Sequence, residues 1–241
     1  ILKYFDLIAL KCSDIIVVIS KQLSDQVVAI DECLSDKIIV LQNGVNAKRF
    51  DCPAVQDNIK GINIGYAGTL KPNYGIEHSI HAAINLAEEG YDISFNIAGT
   101  GPEKDALMKL AERNSQINFL GRVDFENIPK FYSQQDILLY TTSKENIFQS
   151  PIKLYEYMAA GKAIIAMSTP TTESLIENRV TGILIPLGNT KEIAKQLKIL
   201  VGSRAFREKL GNNAKIHVRK HDWSERLKNL IITLKNRGWD I

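Results

Sequence analysis

Short runs of consecutive apolar residues alternate along this chain with longer segments in which apolar residues recur every three or four positions. The runs are typical of strands buried on both faces, and the longer segments are typical of amphipathic helices. Strands are predicted at residues 14–20, 37–41, 62–67, 93–98, 117–123, 137–140, 163–167 and 182–185. Because helices separate nearly all of them, the pattern predicts an α/β fold with a doubly wound parallel sheet.

The predicted helices begin and end at recognisable boundary residues. Ser20 or Ser24 can cap the second helix, and Asn43-Gly44 marks a turn after the second strand. Helices are predicted at residues 1–13, 20–34, 78–89, 103–114, 128–134, 150–161, 171–178, 191–201, 205–218 and 223–237. Residues 50–61 have weak periodicity and are predicted to be a linker. A domain boundary is therefore expected between residues 45 and 60.

Residues 144–167 contain a helix start, a carboxylate and a buried strand. Ser150 can cap a helix whose first residue is Pro151, and Gly161 can end it in a left-handed conformation. The free N–H groups of this helix would point at the carboxyl edge of the sheet, where doubly wound folds bind ligands and where an anion is favoured. Glu156, one and a half turns into the helix, would reach a ligand group away from the anion.

Two predicted strands end in turns that contain glycine. The first turn holds Gly68, Thr69, Lys71 and Gly75, and the second holds Gly99 and Gly101. Glycine lets backbone approach a phosphate closely, and a lysine adds positive charge. An ordinary strand-to-helix turn explains the first turn equally well, and the second lacks the third glycine of the dinucleotide fingerprint. Each turn alone is a weak indication of a phosphate site.

The composition is that of an ordinary globular chain and narrows the function classes. The 241 residues are 45% hydrophobic and 24% charged, with a formal net charge of +3. This charge is too small to indicate nucleic-acid binding, but it is compatible with an anionic ligand or a membrane surface. No apolar run approaches the length of a bilayer span, and the first residues do not resemble a signal peptide. The chain begins at Ile1 rather than Met, which suggests a fragment.

Cysteine, histidine and acidic residues show no metal-binding pattern. The cysteines are odd in number and lack metal-ligand spacing, which predicts reduced, buried thiols in a cytoplasmic protein: Cys12, Cys33 and Cys52. The histidines are predicted to be surface or helix residues rather than catalysts: His78, His81, His217 and His221. No closely spaced pair of aspartates occurs in the expected loops, so the ligand site is predicted to be independent of metal.

Five landmarks, taken together and in order, resemble a known enzyme family. They are Asn43-Gly44-Val45, Gly68-Thr69-Leu70-Lys71 with Gly75, Gly99-Thr100-Gly101-Pro102, Phe119-Leu120-Gly121-Arg122-Val123, and residues 150–162 with the sequence SPIKLYEYMAAGK. The combination resembles the C-terminal half of a family 4 (group 1) glycosyltransferase, a retaining enzyme of the GT-B architecture with two Rossmann-like domains. The resemblance implies that residues 1–45 end the N-terminal acceptor domain, that residues 46–222 bind a nucleotide-sugar, and that residues 223–241 form a helix crossing back.

The same resemblance implies roles for individual residues. Glu156 would bind the ribose hydroxyls, the N–H groups around Pro151 and Ile152 would bind the diphosphate, and Arg122-Val123 would bind the base through backbone. Both kinds of contact are chemically sensible, since a carboxylate accepts from hydroxyls and a helix N-terminus favours phosphate. The implied donor contacts are Gly68, Thr69, Lys71, Gly99, Gly101, Arg122, Val123, Ser150, Pro151, Ile152, Lys153 and Glu156.

Lys71 and Lys153 are the implied phosphate cations, and Lys71 and Glu156 are the residues predicted to act in catalysis. A solvated helix position is an equal alternative for Lys153. The chain departs from the family pattern at Phe148, where a second glutamate usually contacts the donor sugar. It departs again at Thr69 and Tyr74, where an arginine and a lysine usually offset the diphosphate charge. A subgroup with Lys-Pro in the first turn and Ser-Pro-x-Lys before the carboxylate is the closer resemblance.

The resemblance implies a retaining glycosyltransferase that moves a hexose or an amino sugar from a UDP- or GDP-linked donor to a glycan or lipid-linked acceptor, in surface polysaccharide or glycoconjugate synthesis. No cofactor and no nucleic-acid partner are expected. A cytoplasmic location is expected, and peripheral contact with the inner membrane face is left open. Two alternatives remain: a nucleotide-sugar 2-epimerase, for which the cleft looks short of acid/base groups, and a donor-binding half that is inactive without a separate acceptor-domain polypeptide.

Overall fold

A computed structural model describes residues 2–52, 61–142 and 151–240, and in these residues every paired strand is parallel to its neighbours. A two-stranded sheet pairs β1 (Ile16–Val18) with β2 (Ile38–Val40). The larger sheet contains β3 (Ile62–Ala67), β4 (Ile93–Ala98), β5 (Ile117–Gly121), β6 (Ile137–Tyr140), β7 (Ala163–Met167) and β8 (Ile183–Ile185). Its order is β5-β4-β3-β6-β7-β8, so the strand order reverses between β3 and β6. This is the predicted doubly wound, Rossmann-like sheet.

The helices of the described residues are α1 (Leu2–Cys12), α2 (Lys21–Ile30), α3 (Ile76–Glu88), α4 (Lys104–Ala111), α5 (Ile128–Ser133), α6 (Ile152–Ala159), α7 (Pro170–Glu173), α8 (Thr190–Gly202), α9 (Arg204–His217) and α10 (Trp223–Asn236). Short 3₁₀ helices occupy Glu32–Lys37, Ala47–Phe50, Phe125–Asn127 and Val218–His221. Ser20 caps α2 as expected, since its side chain accepts a hydrogen bond from Leu23 N. None of these helices is long and apolar enough to cross a membrane.

Both faces of the six-stranded sheet are buried, which explains why its strands read as continuous apolar runs. In β7, Ala163, Ile165 and Met167 belong to the core on one face, together with α3 and α8. Ile164 and Ala166 belong to the core on the other face, together with α6 and α9. Successive side chains of a strand point to opposite faces, so a strand without a solvated face has no polar alternation.

The chain crosses between the two sheets at two points that are hydrogen-bonded to each other. Val45 N donates to His221 O and Trp223 N donates to Val45 O, each at 3.1 Å. A Cβ at Gly44 would lie 2.9 Å from His221 O, which gives a physical reason for glycine in the Asn43-Gly44-Val45 landmark. This junction consists of residues 44–47 and 221–223, and the domain boundary between residues 45 and 60 stays a prediction. The predicted linker falls mostly on residues 53–60, which lie outside the described residues.

Several predicted boundaries were wrong. The second helix was predicted to run to residue 34 but ends at Ile30, because extended Asp31 caps the following 3₁₀ helix instead. The helix predicted at residues 171–178 ends at Glu173, and Glu177 N donates to Thr181 Oγ1 rather than continuing a helix. The thiols were predicted to be buried, yet Cys12, Cys33 and Cys52 are all free and exposed.

Candidate active site

The turns after β3 and β4 interlock at the carboxyl edge of the sheet, next to the point between β3 and β6 where the strand order reverses. Gly68 N donates to Ala98 O at 2.8 Å, and Leu70 N donates to Thr100 O at 3.0 Å. A Cβ at Gly99 would collide with the carbonyl oxygen of Gly68, so only glycine allows this approach. The two turns predicted to approach a phosphate are therefore held against each other by backbone contacts.

A cavity of about 310 Å³ opens at these turns. Its walls include five of the residues predicted to contact a donor: Gly68, Thr69, Gly99, Arg122 and Val123. Gly101 packs beneath the carbonyl oxygen of Leu70 and supports the wall from behind. Concave sites at the reversal point of a doubly wound sheet are the usual ligand sites of this architecture.

Lys153 points at the first of these turns. Its Nζ donates to Tyr66 Oη at 3.2 Å and lies 4.6 Å and 5.1 Å from the ring centroids of Tyr66 and Tyr74. A Cβ at Gly68 would be only 2.5 Å from that Nζ. Burial lowers the pKa of Lys153 to about 8, partly offset by the charge of Glu156. The alternative of a solvated helix lysine was wrong.

Lys71 has a different environment. Its side chain is exposed in the turn after β3, and it forms no hydrogen bond or ion pair with the described residues. The structure therefore does not place Lys71 beside Lys153, although both flank the turn that begins at Gly68. Thr69, the neighbouring predicted contact, is also exposed at the cavity wall.

Glu156 lies one turn after Lys153 on the same side of α6, as residues three apart in a helix do. Its Oε2 accepts a hydrogen bond from Tyr132 Oη at 3.1 Å. Burial raises the pKa of Glu156, while the hydrogen bond from Tyr132 and the positive charges of Arg49 and Lys153 lower it. The carboxylate is half-buried, so it keeps open acceptor sites toward solvent.

Three residues near Glu156 were not predicted from the sequence: Tyr132, Arg49 and Phe50. Tyr132 lies in α5, and its ring stacks on Phe50 with centroids 5.9 Å apart. Arg49 donates to Phe125 O and its guanidinium lies 3.3 Å from the Phe125 ring centroid. Phe50 begins the segment predicted to be a linker, where periodicity is weak, and Arg49 directly precedes that segment. Their position just after the Asn43-Gly44-Val45 landmark was the available clue.

The start of α6 differs from the prediction in one respect. Pro151 is the capping residue, with φ −80° and ψ 87°, and Ile152 is the first helical residue, so Pro151 does not occupy the first helical position. Pro151 O accepts from Leu154 N and Tyr155 N, whereas the N–H groups of Ile152 and Lys153 begin the helix. Ser150, Phe148 and Glu145 lie outside the described residues. Gly161 does end the helix in a left-handed conformation, with φ 67°.

Two further properties concern possible ligands. Within residues 2–52, 61–142 and 151–240, no three His, Cys, Asp or Glu side chains are grouped as metal ligands would be.

A second, smaller cavity of about 150 Å³ lies between the start of α2, at Ser20 and Lys21, and the start of α6, at Pro151 and Tyr155. The start of α6 therefore lies close to the start of α2.

The comparisons with known proteins agree with this arrangement. The family model of glycosyl transferases group 1 matches residues 54–217. The chain belongs to the group 1 glycosyltransferase family. Among curated members, it is 29% identical over 152 residues to alpha-D-kanosaminyltransferase of Streptomyces kanamyceticus, covering 62% of this chain and 39% of the relative. It is 26% identical over 181 residues to 2-deoxystreptamine glucosyltransferase of the same organism, covering 70% and 45%.

Solved structures of glycosyltransferases show the same fold. The C-terminal domain of the group 1 glycosyl transferase LpcC from Francisella tularensis superposes with a TM-score of 0.65 and 25% identity, covering 73% of this chain and 97% of that domain. The Anabaena protein Alr3699/HepE, solved with UDP and glucose, gives a TM-score of 0.78 at 19% identity, covering 95% and 65%. The chain spans 39–45% of the length of the first three curated relatives.

Proposed function

We propose that this chain is the donor-binding part of a retaining glycosyltransferase that takes a nucleotide-sugar, UDP- or GDP-linked, at the cavity beside Gly68. One observation carries the proposal: Lys153 and Glu156 project from one side of α6, with Lys153 over the glycine turn and Glu156 one turn away. A cation beside backbone N–H groups suits a diphosphate, and a half-buried carboxylate suits a pair of ribose hydroxyls.

The proposed residue roles are those implied by the sequence resemblance. The N–H groups around Pro151 and Ile152, together with Ser150 and Lys153, receive the diphosphate. Glu156 accepts from the ribose, and the backbone of Arg122-Val123 contacts the base. Lys71 is exposed, so in this proposal it reaches the diphosphate only from the solvent side of the turn.

Charge explains how such a site promotes transfer. The bond between the anomeric carbon and the diphosphate oxygen breaks, and its electron pair remains on the diphosphate. The acceptor oxygen forms the new bond on the same face of the sugar, and its proton passes to the leaving diphosphate. Lys153 and the helix N–H groups lie where negative charge grows, so they stabilise the transition state more than the ground state.

The proposed donor is a hexose or an amino sugar, and the proposed acceptor is a glycan or a lipid-linked saccharide. Support comes from the relatives, which are named as transferring kanosamine or glucose, and from the fold neighbour solved with UDP and glucose. A UDP-linked sugar is therefore the first donor to test. A cytoplasmic site of action, with peripheral contact at the inner membrane face, fits a lipid-linked acceptor.

The test is calorimetric titration of UDP and GDP, with 2′,3′-dideoxy-UDP as the ligand control. Glu156→Gln is expected to weaken UDP binding tenfold or more, about 1.4 kcal/mol, because a neutral amide accepts poorly from two hydroxyls. The substitution is expected to leave dideoxy-UDP binding unchanged. Glu112→Gln, an exposed residue at the end of α4 on the opposite edge of the sheet, is the matched control. An equal loss of affinity for UDP and for 2′,3′-dideoxy-UDP in Glu156→Gln would contradict a ribose contact at Glu156.

A second experiment separates transfer from the two alternatives. A nucleotide-sugar 2-epimerase would convert UDP-N-acetylglucosamine at C2 without an acceptor, whereas a transferase would at most hydrolyse it slowly. A donor-binding half would bind UDP and transfer sugar only after a separate acceptor-domain polypeptide is added. Product analysis with and without that polypeptide therefore distinguishes all three.

A further inference from the structure

Four titratable groups from three different elements are close to Glu156. Tyr132 on α5 donates to its Oε2, and Arg49 approaches from the 3₁₀ helix Ala47–Phe50. Lys153 and Tyr157 belong to α6 itself; Lys153 is cationic and Tyr157 is a fully buried phenol. Tyr132 and Arg49 are the two groups that favour the ionised form of Glu156 and have no donor-binding role assigned to them.

Tyr132 is held in one orientation. Its ring stacks on buried Phe50 at an interplanar angle of 19° and meets Tyr157 edge-on, with centroids 5.1 Å apart. Burial raises the pKa of the Tyr132 phenol well above its ordinary value, so the phenol stays protonated at neutral pH. Its O–H therefore has a fixed direction and donates to Glu156 Oε2. Within the described part of the chain, no hydrogen bond is donated to Oε1, so this oxygen can accept from a ligand.

Arg49 is also held in place, through its own side chain and through the start of the 3₁₀ helix that carries it. Its guanidinium stacks on Phe125 and donates to the Phe125 carbonyl oxygen. The 3₁₀ helix that carries it is tied to the junction, because Ala47 N donates to Asp222 Oδ2 at 2.9 Å. The 3₁₀ helix contacts α6, and Phe50, the next residue, stacks on Tyr132, so the positive charge of Arg49 is held near Glu156. No described carboxylate forms an ion pair with Arg49.

We propose that Tyr132 and Arg49 are positioning residues for Glu156: Tyr132 orients the carboxylate so that Oε1 faces the ribose, and Arg49 keeps the carboxylate ionised. The inference rests on the proposed function, because it takes Glu156 to be the ribose ligand. It adds that a segment outside the donor cavity, the 3₁₀ helix Ala47–Phe50, sets the affinity for the nucleoside.

The physical reason lies in competing effects on one proton. Burial alone favours the neutral acid, which donates one hydrogen and accepts poorly. A hydrogen bond from Tyr132 and a nearby cation both favour the carboxylate. Removing either raises the pKa of Glu156, so nucleotide affinity is lost at a higher pH as the solution is acidified.

The first measurement is the pKa of Glu156 in the nucleotide-free protein, from the ¹³C carboxyl resonance assigned by its loss in Glu156→Gln. Tyr132→Phe and Arg49→Met are each expected to raise it by about half a unit or more, a threefold change in proton affinity. Arg49→Lys keeps the charge and is expected to restore most of the wild-type value. Tyr91→Phe, a half-buried tyrosine distant from α6, is the control and should leave it unchanged.

The second measurement is UDP affinity from pH 5 to 8 for the same variants. Tyr132→Phe is expected to bind UDP about three- to tenfold more weakly at pH 7, because the carboxylate loses its fixed orientation. For both Tyr132→Phe and Arg49→Met, the pH at which affinity halves should rise with the pKa of Glu156. The UDP phosphate titrates in the same way for every variant. Comparing each pH profile with that of Glu156→Gln, in which residue 156 does not titrate, removes this contribution.

The outcomes separate this inference from the proposed function. If Glu156→Gln weakens UDP binding while Tyr132→Phe and Arg49→Met change neither the pKa nor the pH profile, the positioning roles are overturned and the donor site stands. If the pKa moves but UDP binding does not follow, the link to the ribose is overturned. If UDP does not bind the wild-type chain at all, the proposed function fails, and this inference fails with it.

Discussion

At the scale of single residues, Lys153 combines a positive charge with a largely buried position. Its pKa is lowered to about 8 because burial disfavours the ammonium more than Glu156 favours it. In the unfolded chain the same group titrates near 10.5. Below pH 8 the folded state therefore carries an unfavourable buried charge, and this cost disappears as pH rises from 8 toward 10.5.

Replacing this charge is expected to separate stability from binding. Lys153→Met should raise the free energy of unfolding at pH 7 by on the order of 1 kcal/mol, because the buried charge is gone. It should nevertheless weaken UDP binding roughly tenfold or more, since a charge-assisted contact to the diphosphate is lost. Urea unfolding and calorimetry measure the two effects. Lys71→Met is the comparison, and its exposed charge should matter less than threefold.

The pH dependence of binding gives a second prediction for Lys153. As pH rises through about 8, the free protein loses the ammonium, so UDP affinity should fall between pH 7 and 9.5. The fall should be absent in Lys153→Met and retained in Lys71→Met. Calorimetry in buffers of matched ionisation enthalpy is the measurement. A profile that is flat in the wild type would show that Lys153 does not contact the diphosphate.

At the scale of elements, the interlocked turns after β3 and β4 depend on backbone packing. Gly99→Ala is expected to destabilise the protein by about 2 kcal/mol and to weaken UDP binding, because the new methyl group would push Gly68 O away. Gly202→Ala, in the last turn of α8 with open space around its Cα, is the control. It should change stability by less than about 1 kcal/mol. Thermal unfolding of the two variants gives the comparison.

The elements themselves were largely predictable, and their ends were not. Buried strands such as β7 are recognisable in the sequence because both of their faces are apolar, which produces a continuous apolar run. The predicted end of α2 was wrong because the Asp31 side chain accepts a local hydrogen bond from Cys33 N, and hydrophobic periodicity does not indicate such a bond. The predicted start of α6 was wrong by one residue. Pro151 has a ψ of 87°, which is not helical, and the sequence gives no signal that distinguishes it from a proline inside the helix.

The candidate site was predictable where its residues share one element. Lys153 and Glu156 are three apart in a helix, so sequence alone puts them on one face. Tyr132 and Arg49 come from elements 24 and 107 residues away from Glu156, and only the tertiary fold brings them to it. The exposed cysteines show the converse limit, because a single small apolar residue at the end of a helix or in a short 3₁₀ helix is too little to establish which face is buried.

At the scale of the whole molecule, the junction between the two sheets contains a buried histidine. His221 is 8% exposed, and its ring packs on Tyr155 of α6, with centroids 5.3 Å apart. Its Nδ1 lies 2.6 Å from an Arg226 nitrogen. Burial, with the nearby charges of Arg226 and Lys220, lowers the pKa of His221 to about 4. The junction therefore requires the neutral imidazole.

Acid is expected to weaken this junction. Between about pH 6.5 and 4 the unfolded chain takes up a proton at His221 that the folded chain does not, so stability should fall as pH falls through that window. Replacing it with glutamine, His221→Gln, should reduce the fall by on the order of 1 kcal/mol, measured by urea unfolding at pH 7 and pH 4.5. His81→Gln, an exposed histidine on α3, should leave the pH dependence of the wild type intact.

The junction has one more consequence. The incoming chain at Val45 and the outgoing chain at Trp223 are joined by a backbone hydrogen bond, so the intervening residues begin and end side by side. A unit whose two ends meet can be spliced into a surface loop of an unrelated host without pulling that loop apart. Residues 46–222, grafted between two halves of a fluorescent reporter, therefore offer an optical test of the proposed binding of a sugar nucleotide.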